Sequence, residues 1–83
     1  MFETWLKCNV FQGIFSDEIG VQVLPKQGEM SAFIVSRDSV QGNFNQAGKV
    51  RVKVYREGNT SWAVLPTENR TIIPVNDADL ISA

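Results

Sequence analysis

Eighty-three residues carry nine acidic and eight basic side chains, a formal charge of −1, with 43% hydrophobic and 20% charged residues and no histidine. This composition describes a folded chain, bounds it to a single small β domain over 1–83, and supplies no global attraction for nucleic acid or anionic membrane. Cys8 is the only cysteine, which excludes an internal disulfide; the core must form without covalent help, or gain area by self-association.

The opening Met1-Phe2-Glu3-Thr4-Trp5 has neither the basic start nor the apolar run of a signal peptide. The longest apolar runs, such as Ala32-Phe33-Ile34-Val35, fall far short of the ~20 residues that span a bilayer. These features predict a soluble cytoplasmic protein with no membrane partner.

From Phe2 to Val10 the even positions Phe2, Leu6, Cys8 and Val10 are apolar while Glu3, Lys7 and Asn9 point the other way, the period-two signature of a half-buried strand. Trp5 and Phe11 interrupt its polar face. Ser16-Asp17-Glu18 reads as a turn, and Ile19, Val21 and Val23 alternate along a second strand. Pro25-Lys26-Gln27-Gly28 has turn chemistry. Met30 to Val35 predicts a third strand, apolar on both faces apart from Ser31 and so suited to the middle of a sheet. Residues 36–48 are the longest irregular stretch: Ser36 is placed to cap one helical turn that tucks Val40 inward, and Gly42, Asn43, Asn45 and Gly48 make the remainder a mobile loop.

Lys49 to Glu57 alternates Val50, Val52 and Val54 with Lys49, Arg51, Lys53 and Tyr55. Gly58-Asn59 suits a type II′ hairpin, and Thr60 to Leu65 is the return strand, stopped by Pro66. Thr71 to Val75 is a last strand, confined to an edge by Pro74, which has no N–H to donate. An internal echo accompanies the pattern. Val23-Leu24-Pro25 recurs as Val64-Leu65-Pro66; each is followed by a valine (Val35, Val75), a polar turn and an inward apolar residue (Val40, Leu80). Two hairpins, each closed by a one-turn hook, generate this spacing, and so do chance matches of short strings.

The absence of histidine removes the commonest general base and metal ligand. Cys8 lies on the apolar face of its strand and reads as a buried, inert thiol. The acidic pairs Asp17-Glu18 and Asp77-x-Asp79 lack the ligand spacing of a cation loop; capping is the reading for Asp17 and for Asn76 or Asp77. The glycines are scattered singly, with no phosphate loop. No cofactor, no metal and no enzyme activity are expected; catalysis by Asp17 and Glu18 would require a cleft around them.

Four of the eight bases, Lys49, Arg51, Lys53 and Arg56, fall within one short stretch without an acid. A two-residue loop at Gly58-Asn59 pairs Tyr55 with Trp62 and Lys53 with Val64, which makes Arg51, Lys53, Tyr55 and Trp62 a basic-aromatic patch of the kind that sheet-based single-strand binders use. A three-residue loop instead turns Trp62 inward, where burial is worth ~1.5–3 kcal/mol. Burial makes the inward position the favoured one. Trp5 and Phe11, on the nominally wet face of the first strand, are candidate interface residues, with loop aromatics Phe15 and Phe44 as further apolar surface.

The pattern therefore predicts an all-β fold: a small antiparallel, partly open barrel, SH3-like or OB-like, of five to six short strands. It predicts a non-catalytic binding or structural module acting through protein–protein contacts, as a homodimer or with a protein partner. The alternative is single-stranded nucleic-acid binding through the 49–65 hairpin.

Overall fold

The alternation of small apolar and polar residues is realised as strands. The computed structural model describes residues 1–81. Its strands are β1 (Phe2–Gln12), β2 (Glu18–Val23), β3 (Ser31–Ser36), β4 (Val40–Gln41), β5 (Gln46–Glu57), β6 (Thr60–Val64), β7 (Ile72–Val75) and β8 (Leu80–Ile81), with single 3-10 turns at Arg37–Ser39 and Asp77–Asp79. They form one antiparallel sheet ordered β3-β2-β1-β5-β6-β7, with β4 added to β5 and β8 to β1. Strongly curled into a half barrel, it is the small, partly open β fold that the alternation predicts. Among the described residues no helix is long and apolar enough to cross a membrane.

The inner face is built from short side chains. Among the described residues, eight of its fourteen buried apolar side chains are valines (Val10, Val21, Val23, Val35, Val50, Val52, Val54 and Val75), joined by Leu6, Cys8, Ile19, Ala63, Leu65 and Ile73. No aromatic is among them; Phe33 only packs against the cluster from its margin. β-Branched residues suit a tightly curled, half-buried surface, and a narrow interior leaves no room for an indole.

The hairpin-and-hook arrangement suggested by the echo is present twice. β1-β2-β3, the turn at Arg37–Ser39 and β4 make one copy; β5-β6-β7, the turn at Asp77–Asp79 and β8 make the other. Their registers match pair for pair: Asn9↔Gln22 answers to Lys53↔Val64, Gly20↔Ile34 to Trp62↔Pro74, and Val40↔Val50 to Leu80↔Leu6. Leu6 and Val50 face each other at the centre of the β1·β5 ladder, where the two halves meet. The equivalence is one residue out from the sequence echo, since buried Val23 answers to buried Leu65 rather than to Val64. Each hook crosses over, so β4 of the first half completes β5 and β8 of the second half completes β1.

Three local expectations are corrected. β3 is an edge strand, not a central one, and Ile34 on its outer face is 42% exposed. Neither 3-10 turn has a side-chain cap from Ser36 or Asn76. The hooks are anchored by the residue that follows. The Arg37 guanidinium donates to Ser16 O at 2.8 Å, and Asp77 Oδ1 accepts from Ser61 Oγ at 2.6 Å and from Arg56 Nη2 at 3.4 Å. The single turn expected after Ser36 is present and Val40 packs against the core, while β4 and the start of β5 occupy much of the stretch expected to be a mobile loop.

Where β4 crosses β5, backbone meets backbone. A Cβ placed on Gly48 would lie 2.5 Å from the Gln41 carbonyl oxygen and 2.7 Å from Val10 Cγ2. Gly48→Ala must push β4 off β5, and urea unfolding should show a loss of about 1–3 kcal/mol. On the other side of the same pair, burial pushes the Cys8 thiol from 9.0 up to about 11. The unfolded thiol ionises first as pH rises, so the contribution of this group to stability is flat below pH 9 and declines from there toward pH 11. Cys8→Ala should flatten that decline in unfolding curves recorded on both sides of pH 9.

Candidate binding face

The turn that decides the placement of Trp62 is Gly58-Asn59. Gly58 adopts φ 62°, the left-handed conformation that a two-residue type II′ hairpin requires at its first position. The register that follows pairs Tyr55 with Trp62 and Lys53 with Val64 and continues to Trp62↔Pro74 and Val64↔Ile72. Trp62 therefore points outward, against the expectation that burial would draw it into the core. Its neighbours explain why: the inward positions of β6 belong to Ser61, whose hydroxyl is satisfied by Asp77, and to Ala63, wedged between Val54 and Ile73. Trp62 is half-buried across the outer surface of Tyr55 and Pro74.

The β1·β5 ladder adds Trp5 to this face. Trp5 pairs with Arg51, and the Arg51 guanidinium carbon and the Lys49 ammonium each lie 5.0 Å from its ring centroid. Such contacts are worth ~0.5–1 kcal/mol at an exposed site and hold two flexible cations in place. Glu3 Oε1 is 4.0 Å from Arg51 Nε, with both side chains more than half exposed, a loose pair of small energetic weight. Trp5, Lys49, Arg51, Lys53, Tyr55 and Trp62 thus share one face. Phe11 does not join them. Six residues along β1 at ~3.3 Å each set it ~20 Å from Trp5. Its ring covers Gly20, its cross-strand partner, in the space a side chain there would occupy.

Two basic residues escaped the sequence reading. Lys7 stands directly opposite Lys49 in the ladder, a like-charge pairing that costs stability and leaves positive potential unneutralised. Arg70, whose φ of 52° is uncommon for a side-chain-bearing residue, joins Arg51 and Lys53 around a shallow groove of about 340 Å³ that also includes Glu3, Ser39 and Val64. That groove occupies the gap on β5 between β4 and β6. Its counterpart on β1, between β8 and β2, has the matched positions Lys7, Asn9, Met30, Ala47 and Asp79. The two gaps have the same architecture, and three cations gather in one of them. Both Lys7 and Arg70 enter through long-range pairing, which short-window periodicity does not report.

The chain matches no protein-family model, no curated protein and no solved structure.

Other chemistry-bearing groups lie elsewhere. Asp17, Glu18, Asp38 and Glu68 line a second groove, beside β3. Among the described residues no three His, Cys, Asp or Glu side chains cluster closely enough to hold a metal ion. The loop aromatics remain outward: Phe15 is 65% exposed, and the Phe44 ring centroid lies 5.9 Å from the Arg37 guanidinium carbon.

The outward placement of Trp62 has a direct optical consequence. In a Trp5→Phe variant, where Trp62 is the one remaining indole, iodide should quench the fluorescence without denaturant. Resistance to quenching until the chain unfolds would place Trp62 inside.

Proposed function

We propose that this protein is a non-catalytic binding module whose working surface is the outer face of β1, β5 and β6, and that this face takes single-stranded nucleic acid. The observation that carries the reading is the Tyr55↔Trp62 pair, outward and continuous with Lys53 and Arg51. Aromatic rings on a sheet face offer stacking surfaces to unpaired bases, each stacked base being worth ~1–3 kcal/mol, while neighbouring cations meet the phosphates. Arg51, Lys53 and Arg70 around one groove, together with the Lys7–Lys49 pairing, give the phosphate path a local positive field despite the overall charge of −1. No charge-transfer or proton-transfer group is needed for such a role.

Titration of a labelled single-stranded oligonucleotide at low salt tests it. Binding should weaken as salt rises, with a slope of about −0.7 per phosphate neutralised. Lys53→Glu should weaken it further and reduce the magnitude of the slope by at least about one, and Trp62→Ala should cost ~1–3 kcal/mol. No binding at low salt would sink the reading.

A second reading, action through protein–protein contacts with a partner or a second copy of the chain, is favoured by a different observation. Beyond Trp62 the same face continues as Val64, Ile72 and Pro74, an apolar row where an antiparallel sheet normally presents polar residues to water. Sedimentation across a micromolar concentration series should then show association that Ile72→Ser abolishes. A monomer throughout removes the homodimer.

A further inference from the structure

The two halves differ where each meets the connecting loop of the other, and that difference defines a second surface. Both outer strands, β3 and β7, have an edge that the sheet itself leaves unpaired. Trp62↔Pro74 and its counterpart Gly20↔Ile34 occupy matched places in the ladders. At the β7 edge the seam is closed: Lys26 N–H donates to Pro74 O at 2.8 Å, and Lys26 Nζ reaches Asn59 O at 3.4 Å. The matched seam at β3 is open. Pro66, Thr67 and Glu68, the counterparts of the loop that carries Lys26, stand across from Ile34, Val35 and Ser36 around a groove of about 620 Å³. Among the described residues no backbone hydrogen bond joins the two walls.

The loop is held back by its own bonds. Residues 66–70 are two fewer than the corresponding 24–30, and Thr67 folds them onto themselves. Thr67 O accepts from Arg70 N at 3.0 Å, and Thr67 Oγ1 accepts from Thr71 N at 2.8 Å.

The direction of the free β3 groups follows from the ladder. Arg37 N–H donates to Asp17 O at 3.3 Å, which makes Asp17 and Arg37 a hydrogen-bonded pair in the β2·β3 register. Pairs alternate along an antiparallel ladder, so Ala32, Ile34 and Ser36 direct their N–H and C=O groups away from β2 and into the groove. Natural edges are normally blunted by proline, lysine, a bulge or a covering loop. The β7 edge has Pro74 and the Lys26 loop; Ser31-Ala32-Phe33-Ile34-Val35-Ser36 has none of these. Four carboxylates, Asp17, Glu18, Asp38 and Glu68, border the groove against one guanidinium, Arg37, which is already bonded to Ser16 O.

We propose that the β3 edge is a strand-addition site for an extended, basic peptide segment lying between β3 and Pro66–Glu68. Its backbone pairs with the free groups of Ile34 and its neighbours, an apolar side chain covers the exposed Ile34, and lysine or arginine side chains meet the four carboxylates. Main-chain bonding gives such a site affinity and side-chain charge gives it selectivity. Pairing of β3 with β3 of a second copy is disfavoured, because it brings two sets of these acids together. The proposal does not depend on the outer-face reading.

The probe is a synthetic peptide of alternating lysine and valine, compared with its glutamate–valine counterpart. The lysine peptide should bind the intact protein and slow hydrogen exchange at the Ile34 amide about tenfold or more; the glutamate peptide should not. Ile34→Pro places in β3 the residue that β7 tolerates at the matched position. It removes the outward donor while sparing the β2 pairing, and should weaken peptide binding about tenfold. Glu68→Lys, at an exposed site that does not challenge folding, should weaken it about two- to fivefold. Trp62→Ala should leave it unchanged. No binding of the lysine peptide, equal binding of both peptides, loss through Trp62→Ala but not Ile34→Pro, or concentration-dependent protection of Ile34 without peptide would each overturn the proposal.

Discussion

Everything in this molecule hangs on the β1·β5 ladder. It runs through nine residue pairs, from Phe2↔Val54 to Val10↔Gln46, and contributes both surfaces that matter. Leu6, Cys8 and Val10 share the inside with Val50, Val52 and Val54, while Trp5, Lys7, Lys49, Arg51 and Lys53 gather outside. Because successive side chains alternate, a register shift of one residue would send the valines to water and the cations into the core. The same constraint that builds the interior therefore sets the composition of the exposed basic face. It also explains why Lys7 and Lys49 tolerate each other: the register is held by burial on the opposite side, at a larger energy than one exposed like-charge pair costs.

The approximate repetition of the two halves turns the chain into its own control. Identical ladder registers mean that local differences between matched places trace to side chains and loop lengths rather than to backbone architecture. The gap beside β5 gathers Arg51, Lys53 and Arg70, whereas the gap beside β1 presents Lys7, Asn9, Met30 and Asp79. One seam is stitched by Lys26 to a proline-bearing edge, and its counterpart is left open by a shorter, self-bonded loop. Each asymmetry gives one half something its counterpart lacks, a gathering of cations in one gap and an open strand edge at one seam.

The fold was legible because its code is local. Period-two alternation marks β1, β2 and β5, turn residues and prolines bound β3, β6 and β7, and the Gly58-Asn59 dipeptide suits the turn that pairs Tyr55 with Trp62. The placement of Trp62 does not follow from burial weighed one residue at a time. A large side chain gains by burial only where a space of its size exists, and this interior is lined with valine and alanine. Strand position was invisible for the same reason that Lys7 and Arg70 were missed. Which strands end the sheet, and which cations meet across it, depend on pairings between residues far apart in sequence. β3 looked central because its residues are apolar on both faces; the structure puts that apolar strand on an open edge, and the mismatch is what singles it out.

The crossed hooks have a consequence for how the molecule comes apart. Leu6 lies against Leu80, and Thr4 Oγ1 donates to Ile81 O at 2.6 Å, while Val50 lies against Val40. Each half is sealed by residues covalently belonging to the other, so loosening one hook uncovers the centre of the opposite hairpin. The halves cannot melt as separate units, and a growing chain cannot finish its first half until its last strand has been made. Such distant contacts slow folding relative to a chain of local hairpins, in return for a single sharp transition.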